Sequence, residues 1–276
     1  MTTQVQSKPT FMTREKKNQT GLLSQIFLIM RRNLTTIIRT PEALLPPVGI
    51  SLFFLVIYEA TLGRASGFIP NLGTNNYLGF ILPLSIVSSS LAGAGIAAQN
   101  LVRDIESGYF DKLLLTPVRR FALLLGAILA GAVILGFQAS IVIGVGVIMG
   151  LEAVTGLPGL LAVVGLAVLL GTGFAGFTVS AALGSGSAAA TQGASFIFFP
   201  LTFLAPTFVP VDLLDGWLKT AARFNPITYV IEAMRALINQ GWDTTSLLQG
   251  VLACLILALA MYSLALFALQ VRTRRK

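Results

Sequence analysis

Long apolar runs, separated by short polar or small-residue breaks, dominate the pattern of this chain of 276 residues. Because about 20 apolar residues cross the hydrocarbon core of a bilayer as a helix, each run is a candidate transmembrane span. Six spans are predicted, near residues 43–63, 77–98, 121–150, 157–184, 193–211 and 246–270. The pattern therefore predicts an all-α integral membrane protein whose transmembrane domain occupies residues 41–270.

The distribution of Lys and Arg orients these spans. Six crossings place four segments on one side of the membrane: the N-terminal segment, the loop 99–120, the segment 185–192 and the C-terminal tail. Together these segments contain 15 of the 19 basic residues. The positive-inside rule places that side, and therefore both termini, in the cytoplasm. The predicted location of the protein is the inner or plasma membrane of the cell. If 193–211 only dipped into the membrane, the basic tail would lie outside, so a full crossing is preferred.

The N-terminal region divides into two parts. Residues 1–20 are polar and charged and are predicted to form a disordered cytoplasmic tail. Residues 21–40 have apolar positions at helical spacing, which predicts an interfacial amphipathic helix whose Arg31, Arg32 and Arg39 are available to lipid headgroups. A helix that also contacts a cytoplasmic partner is the alternative. Residues 271–276 form a basic cytoplasmic tail.

Composition excludes several classes of protein. The chain is 55% hydrophobic and 11% charged, with a mean hydropathy of +0.82, whereas soluble domains carry about 25% charge. It has no histidine, and its single cysteine lies in an apolar run. The excess of basic residues flanks the spans and is explained by topology, so no nucleic-acid partner is predicted. No G-x-x-x-x-G-K-[ST] phosphate loop occurs, so any ATP must be hydrolysed by a separate chain.

The loop 99–120 is unusually rich in side chains that suit a contact. It mixes charges with two aromatic residues and a run of three leucines, and Gly108 divides it. Exposed apolar groups usually mark a binding surface, so a short helix that docks onto another protein is predicted. An amphipathic linker that rests on lipid headgroups is the alternative.

The motifs of the chain resemble a known family. The loop reads Glu106-x-Gly108-Tyr109-Phe110-Asp111-Lys112-Leu113-Leu114-Leu115-Thr116-Pro117-Val118-x-Arg120, which is similar to the loop of bacterial ABC-2 type transporter permeases, among them daunorubicin-resistance-type and polysaccharide exporters. Two further matches follow in the family's order, Phe203-x-x-Pro206-x-Phe208-x-Pro210 with Leu214 and Trp217-Leu218, and Phe224-Asn225-Pro226-Ile227-Thr228 with Glu232, Ala233 and Arg235.

This resemblance implies a division of labour between chains. Two permease subunits, identical or different, would form the pathway, and separate ABC ATPase subunits would use ATP and Mg, with no cofactor bound by this chain. The residues that the resemblance places at the ATPase contact are Glu106, Gly108, Tyr109, Phe110, Asp111, Lys112, Leu113 and Pro117. The chain itself would not be an enzyme.

The segment 212–245 is predicted to lie in or dip into the outer leaflet as short helices that form a lid or outer gate. Asn225 is a good N-cap, and Pro226 suits the first helical turn. Trp217 and Arg235 complete the candidate gate residues. The alternative is that these helices only pad the last span.

Four residues are candidates for the substrate pathway. Glu59 is the only charged residue of the first span, although a carboxylate near the end of a span is also ordinary. Pro200 and Pro206 free backbone carbonyls and are expected to kink the fifth span, and Phe203 lies between them. An apolar pathway of this kind suits amphipathic or lipid-linked cargo, such as a drug, a lipid or a glycan, better than a bare ion.

Two other functions remain open. An ATP-independent secondary transporter or channel would be expected to show intramembrane ion-coupling groups or an internal repeat, and neither is visible. A non-transporting membrane assembly subunit would have the same six spans, and only a transport measurement would distinguish it.

Overall fold

A computed structural model describes residues 21–63, 77–116, 118–206 and 211–274, and every regular element within these ranges is helical. The helices are α1 (Leu22–Ile38), α2 (Pro41–Leu62), α3 (Tyr77–Glu106), α4 (Tyr109–Leu114), α5 (Arg120–Ile148), α6 (Gly156–Ser185), α7 (Ala188–Phe196), α8 (Phe198–Leu204), α9 (Gly216–Phe224), α10 (Pro226–Arg235) and α11 (Thr244–Arg274). A 3₁₀ turn (Val211–Leu213) precedes α9, and a π-helical turn (Ala236–Gln240) follows α10.

Five of the described helices are long and apolar enough to cross a membrane, namely α2, α3, α5, α6 and α11. They coincide with five of the six predicted spans. The predicted tail 1–20 and Pro117 lie outside the described residues, as do residues 275–276 of the predicted basic tail. The six-span layout stays a prediction, because the described residues of the remaining run, 193–206 and 211, are helical only in short segments.

α3 lies at the centre of the bundle, where it packs against α2, α5 and α6, while α11 packs along α6. Of the residues in the span of α3, 83% are buried, against 11% for α2 and for α11. The outward faces of α2 and α11 therefore expose apolar side chains. Such faces suit lipid or another membrane protein, because hydrocarbon tails are as apolar as leucine.

Small residues let the long helices approach one another closely, as their density in spans three and four indicates. A Cβ atom built on Gly171 of α6 would meet the side chain of Leu135 of α5, and one built on Gly176 would meet Tyr262 and the backbone of Met261 in α11. Glycine on both faces of α6 thus allows α5 and α11 to pack against it at short range.

The apolar run of the fifth predicted span is broken into two helices. α7 ends at Phe196, Ile197 forms a turn, and α8 begins at Phe198. Pro200 explains the position of the break, because it has no N–H for the carbonyl of Phe196 and its ring crowds that carbonyl. The Ile197 N–H bonds instead to the Ala194 carbonyl, three residues back. The kink expected from Pro200 therefore falls one turn before the proline.

Close packing at Gly176 predicts a specific loss of stability. Gly176→Ala should lower the free energy of unfolding by about 1–3 kcal/mol, because the added methyl group overpacks the α6–α11 contact. Thermal unfolding of the purified protein in detergent measures the change. Gly165→Ala, on an exposed position of the same helix with no neighbouring atom within 4 Å, is the matched control and should not lower the melting temperature. Equal melting temperatures for the two variants would contradict the prediction.

Candidate functional site

The loop that carries the family-like motif forms a sharp helical turn at the basic end of the bundle. α3 continues past its apolar span to Glu106, and Gly108 then adopts a left-handed backbone with φ of 70°. This conformation favours glycine, because the Cβ atom of other residues is sterically strained there. The short helix α4 follows directly. The motif residue Gly108 is thus required by the geometry of the turn.

Phe110 anchors α4 to the rest of the protein. Its side chain is 2% exposed and belongs to an apolar cluster contributed by α3, α5, α6 and α11. The other members of that cluster are Ala97, Ala98, Leu101, Val102, Leu124, Val179, Ala182, Leu183, Ala265 and Leu269. The burial of Phe110 makes it an internal anchor of the turn, and it leaves little of this side chain for a contact with another chain.

The solvent side of the turn is formed by other residues of the motif. Glu106, Tyr109 and Lys112 are exposed, and Leu115 is 89% exposed. Leu113 is half-buried and lines a small cavity between α4 and α1, and Asp111 is half-buried with a partner inside the protein. The structure therefore separates the predicted contact residues into an exposed set and an internal set, with Pro117 outside the described residues.

An ion pair ties α1 to the turn. Arg32 of α1 donates two hydrogen bonds to the carboxylate of Asp104 near the end of α3, at 2.6 and 2.7 Å. The guanidinium also lies over the ring of Tyr109, with its central carbon 4.1 Å from the ring centroid. The hydrogen bond to Asp104 raises the pKa of Arg32 above its ordinary value. Arg32, expected from the sequence to face lipid headgroups, is thus engaged within the protein.

A second contact fixes the other end of α1. The backbone N–H of Arg119, just before α5, donates to the side-chain oxygen of Gln25 at 3.1 Å. A Cβ atom on Gly126 of α5 would meet the side chain of Ile29, so the two helices are in close contact there. α1, the end of α3, α4 and the start of α5 therefore form one connected group, which we call the basic-end group.

At the opposite end of the bundle, α10 is inserted into the protein. An apolar stripe along α10 and the π-helical turn that follows it is fully buried, and its residues are Ile227, Val230, Ile231, Met234, Leu237 and Ile238. Trp217 on α9, in contrast, is 74% exposed. The helix after the Asn225-Pro226 motif is thus part of the core, while the helix before it lies outside.

Arg235, at the end of α10, joins three elements although its side chain is only 8% exposed. Its Nε donates to the carbonyl of Phe80 in α3 at 3.1 Å, and its Nη1 donates to the carbonyl of Pro206, after α8, at 2.7 Å. The guanidinium also lies 3.5 Å from the centroid of the Phe80 ring. A buried charge is costly unless it is hydrogen-bonded, so these contacts explain how an arginine is accommodated here.

Two asparagine side chains donate hydrogen bonds to other backbone carbonyls at the same end of the bundle. Pro83 has no N–H, which leaves the Gly79 carbonyl without its helical donor, and Asn239 donates to that carbonyl at 3.0 Å. Asn225 caps α10 by accepting from the Ile227 N–H at 3.0 Å. It also donates to the Leu201 carbonyl, in the last turn of α8, at 2.6 Å.

The four candidate pathway residues do not come together. Pro206 is buried beside Arg235, whereas Pro200 and Phe203 are exposed on the outward side of α8. Glu59 is half-buried near the end of α2, on a different helix. Among the described residues, no group of three or more acidic or cysteine side chains is placed to hold a metal ion.

The sequence predicted the motifs, but it did not predict which residues the motif side chains contact. Asp104 and Arg32 are 72 residues apart, and no local spacing links them. Asn239 and Phe80 were also missed, although Pro83 inside an apolar helix is a readable signal that a carbonyl on the preceding turn needs another donor.

Long apolar helices, with a charged turn at one end and a polar buried cluster at the other, are the features of a polytopic membrane protein. The ABC-2 type transporter family matches residues 24–239, and the chain belongs to this family. It is therefore a permease component, the membrane part of an ABC transporter and not its ATPase.

Individual relatives agree with this assignment. The chain is 27% identical over 219 residues to the transport permease ycf38 of Cyanophora paradoxa, covering 79% of this chain and 75% of the relative. It is 23% identical to the doxorubicin resistance ABC transporter permease DrrC of Mycobacterium tuberculosis, over 79% of this chain and 78% of the relative. It is 26% identical to the daunorubicin resistance permease DrrB1 of Streptomyces coeruleorubidus, over 72% and 69%.

Charge reversal tests the Arg32–Asp104 pair. Arg32→Asp and Asp104→Arg should each destabilise the protein, since each places two like charges together where a hydrogen-bonded pair of opposite charges lies partly buried. The double variant, which restores the pair in reverse, should recover at least half of the lost melting temperature. Thermal unfolding of all four proteins gives the coupling, and additive losses with no recovery would show that the pair does not hold α1.

Replacement of Arg235 tests the buried cluster. Arg235→Leu should lower the free energy of unfolding by about 2–4 kcal/mol, because the Phe80 and Pro206 carbonyls lose a charged donor in a buried site. Arg235→Lys keeps the charge but lacks the planar guanidinium that donates to both carbonyls. The stability of this variant should therefore lie between those of the wild type and of Arg235→Leu. Thermal unfolding measures the order, and a leucine variant as stable as the lysine variant would contradict it.

Proposed function

We propose that this chain is the membrane-spanning subunit of an ATP-driven ABC exporter, with six transmembrane segments and both termini in the cytoplasm. Separate ATPase subunits hydrolyse ATP, and the chain converts their motion into export of an amphipathic or lipid-linked substrate. Membership of the ABC-2 type transporter family over residues 24–239 carries this proposal.

The exposed side of the α3–α4 turn is the ATPase contact in this proposal. Glu106, Tyr109 and Lys112 offer an acid, an aromatic ring and a base on one small surface, and Leu115 adds an apolar side chain. Phe110 and the Arg32–Asp104 pair tie this surface to α1, α3 and α5. A push on α4 is therefore delivered to the membrane helices through packed contacts instead of a loose loop.

The α7–α8 pair supplies the sixth crossing. Ala188–Leu204 is an apolar helical segment that, at about 1.5 Å per residue, is about 26 Å long, slightly shorter than a hydrocarbon core of about 30 Å. With this crossing, the 15 basic residues lie together on the cytoplasmic side, and α9 and α10 lie at the outer leaflet. Trp217, Asn225, Pro226 and Arg235 then belong to the outer gate.

The substrate path lies where the outward faces of α2 and α8 meet a second permease subunit, identical or different. These faces expose large apolar side chains, including Phe53 and Phe54 on α2 and Phe199 and Phe203 on α8. A lining of this chemistry suits an amphipathic molecule. The relatives named for doxorubicin and daunorubicin resistance support a cargo of the same broad kind.

Reversing charge on the turn should uncouple transport from ATP hydrolysis. Glu106→Lys, alone and with Lys112→Glu, should reduce the ATPase stimulation that the chain gives its partner in liposomes, while insertion into the membrane stays normal. Glu152→Lys, on the loop at the opposite end of the bundle, is the control and should behave as the wild type.

Two results would contradict different parts of the proposal. Undiminished capture of the ATPase subunit by the Glu106→Lys and double variants would exclude the docking role of the turn. An ATPase activity that does not depend on the presence of this chain would overturn the exporter function as a whole.

A further inference from the structure

We propose that Ser89 of α3 and Gln138 of α5 bind an internal water molecule between them, inside the helix bundle. The site is a polar level in the contact between these two helices, and its ligand is water. This inference goes beyond the export function and does not depend on it, because it rests on how α3 and α5 pack.

Contacts at two places fix how α3 and α5 lie against each other. A Cβ atom built on Gly146 of α5 would meet the side chain of Leu82 in α3, and one built on Gly131 of α5 would meet Ala97 in α3. The two helices therefore run antiparallel, and the level halfway between these contacts is fixed on both of them.

Ser89 and Gln138 lie at that halfway level. Each is about two helical turns from both contacts, so each stays on the side of its helix that faces the other helix. The position of Gln138 is also seen directly, because a Cβ atom on Gly93, one turn from Ser89, would meet the side-chain oxygen of Gln138. The two polar side chains therefore point into one level of the contact.

Both side chains are buried without a hydrogen-bond partner in the described part of the chain. Each is 1% exposed, and the unpaired atoms are Oγ of Ser89 and both Oε1 and Nε2 of Gln138. The level lies at least three helical turns along the chain from any residue outside the described ranges. Buried polar groups are nearly always hydrogen-bonded, to protein or to ordered water, so these atoms require a partner.

Neighbouring hydroxyls show that serine in these helices is normally satisfied. Ser90 of α3 donates to the Ile86 carbonyl at 2.9 Å, and Ser140 of α5 donates to the Gly136 carbonyl at 2.7 Å. Such bonds to the preceding turn are the usual solution for a hydroxyl inside a helix. The hydroxyl of Ser89 does not make this bond, which leaves it available to a partner in the α3–α5 contact.

Water is the partner that fits this level. An ordered internal water uses two to four polar partners, and here a hydroxyl and both ends of a carboxamide face each other without bonding directly. The short side of the level is on α3, where Gly93 leaves a recess that the carboxamide enters. An ion is not favoured, because α3 has no charged residue before Arg103 and α5 has none after Arg120.

Solid-state NMR of the full chain in lipid bilayers tests for this water. The measurement compares the transfer of proton polarisation from water to two groups, the side-chain amide of Gln138 and the backbone amide of Ala130, which is fully buried about two turns away on the same helix. The Gln138 signal is identified by its loss in Gln138→Met. We expect faster transfer to Gln138 than to Ala130, and equally slow transfer to both would overturn the proposal.

Ser89→Ala tests whether the water bridges the two helices. Loss of the hydroxyl should slow the transfer to Gln138 and lower the melting temperature by about 2–4 °C, because the water loses one of its partners. Ser140→Ala is the matched control, since it removes a hydroxyl that is satisfied within α5, and it should leave the transfer unchanged. Transfer in Ser89→Ala as fast as in the wild type would exclude the bridge.

The near-isosteric variant Gln138→Met tests the site by the sign of its effect on stability. Its melting temperature should fall, because Ser89 and the water lose their partner, whereas removal of a dry, unpaired carboxamide would raise it. The double variant with Ser89→Ala should lose less than the sum of the two single losses, since both side chains hold one water. A rise in Gln138→Met, or strictly additive losses, would contradict the inference and would leave the exporter function to the ATPase measurement described above.

Discussion

The need to satisfy backbone carbonyls away from water governs the construction of one end of this protein. Pro83 leaves the Gly79 carbonyl without a helical donor, and the end of α8 does the same for the Leu201 carbonyl. The side chains of Asn239 and Asn225 donate hydrogen bonds to these two carbonyls. Arg235 supplies donors to two further carbonyls. In hydrocarbon an unsatisfied carbonyl costs several kcal/mol, so irregular backbone persists only where the protein provides such partners.

Those contacts explain why α10 is inserted into the bundle. A helix that merely padded the last span would keep its polar residues toward headgroups, but here the donors at positions 225, 235 and 239 all point into the protein while the apolar stripe of α10 is buried. Polar contacts and apolar packing therefore hold the same segment from different sides. The lid role remains part of the proposed function, but the rigid attachment to α3 and α8 that it needs is present.

α3 connects the two ends. Near its first turn Gly79 and Phe80 accept hydrogen bonds from Asn239 and Arg235, and near its last turn Asp104 accepts those of Arg32. The intervening helix is about 36 Å long at about 1.5 Å per residue, enough to cross a bilayer. Its span is also the most buried of the five candidate membrane spans. α3 therefore has the length and the fixed ends to connect the two faces that the proposed function couples.

Local sequence determined which segments are helical, which are apolar enough for a membrane, where Asn225 caps a helix and which family the chain belongs to. These features depend on composition and on spacings of a few residues, which one chain displays directly. The tertiary structure decided the rest: Phe110 is buried as an anchor of the turn, Arg32 pairs with Asp104, and the break in the fifth run lies at Ile197. Partners 72 residues apart, like Arg32 and Asp104, meet only because long helices pack in a particular order, and no spacing within a single helix records that order.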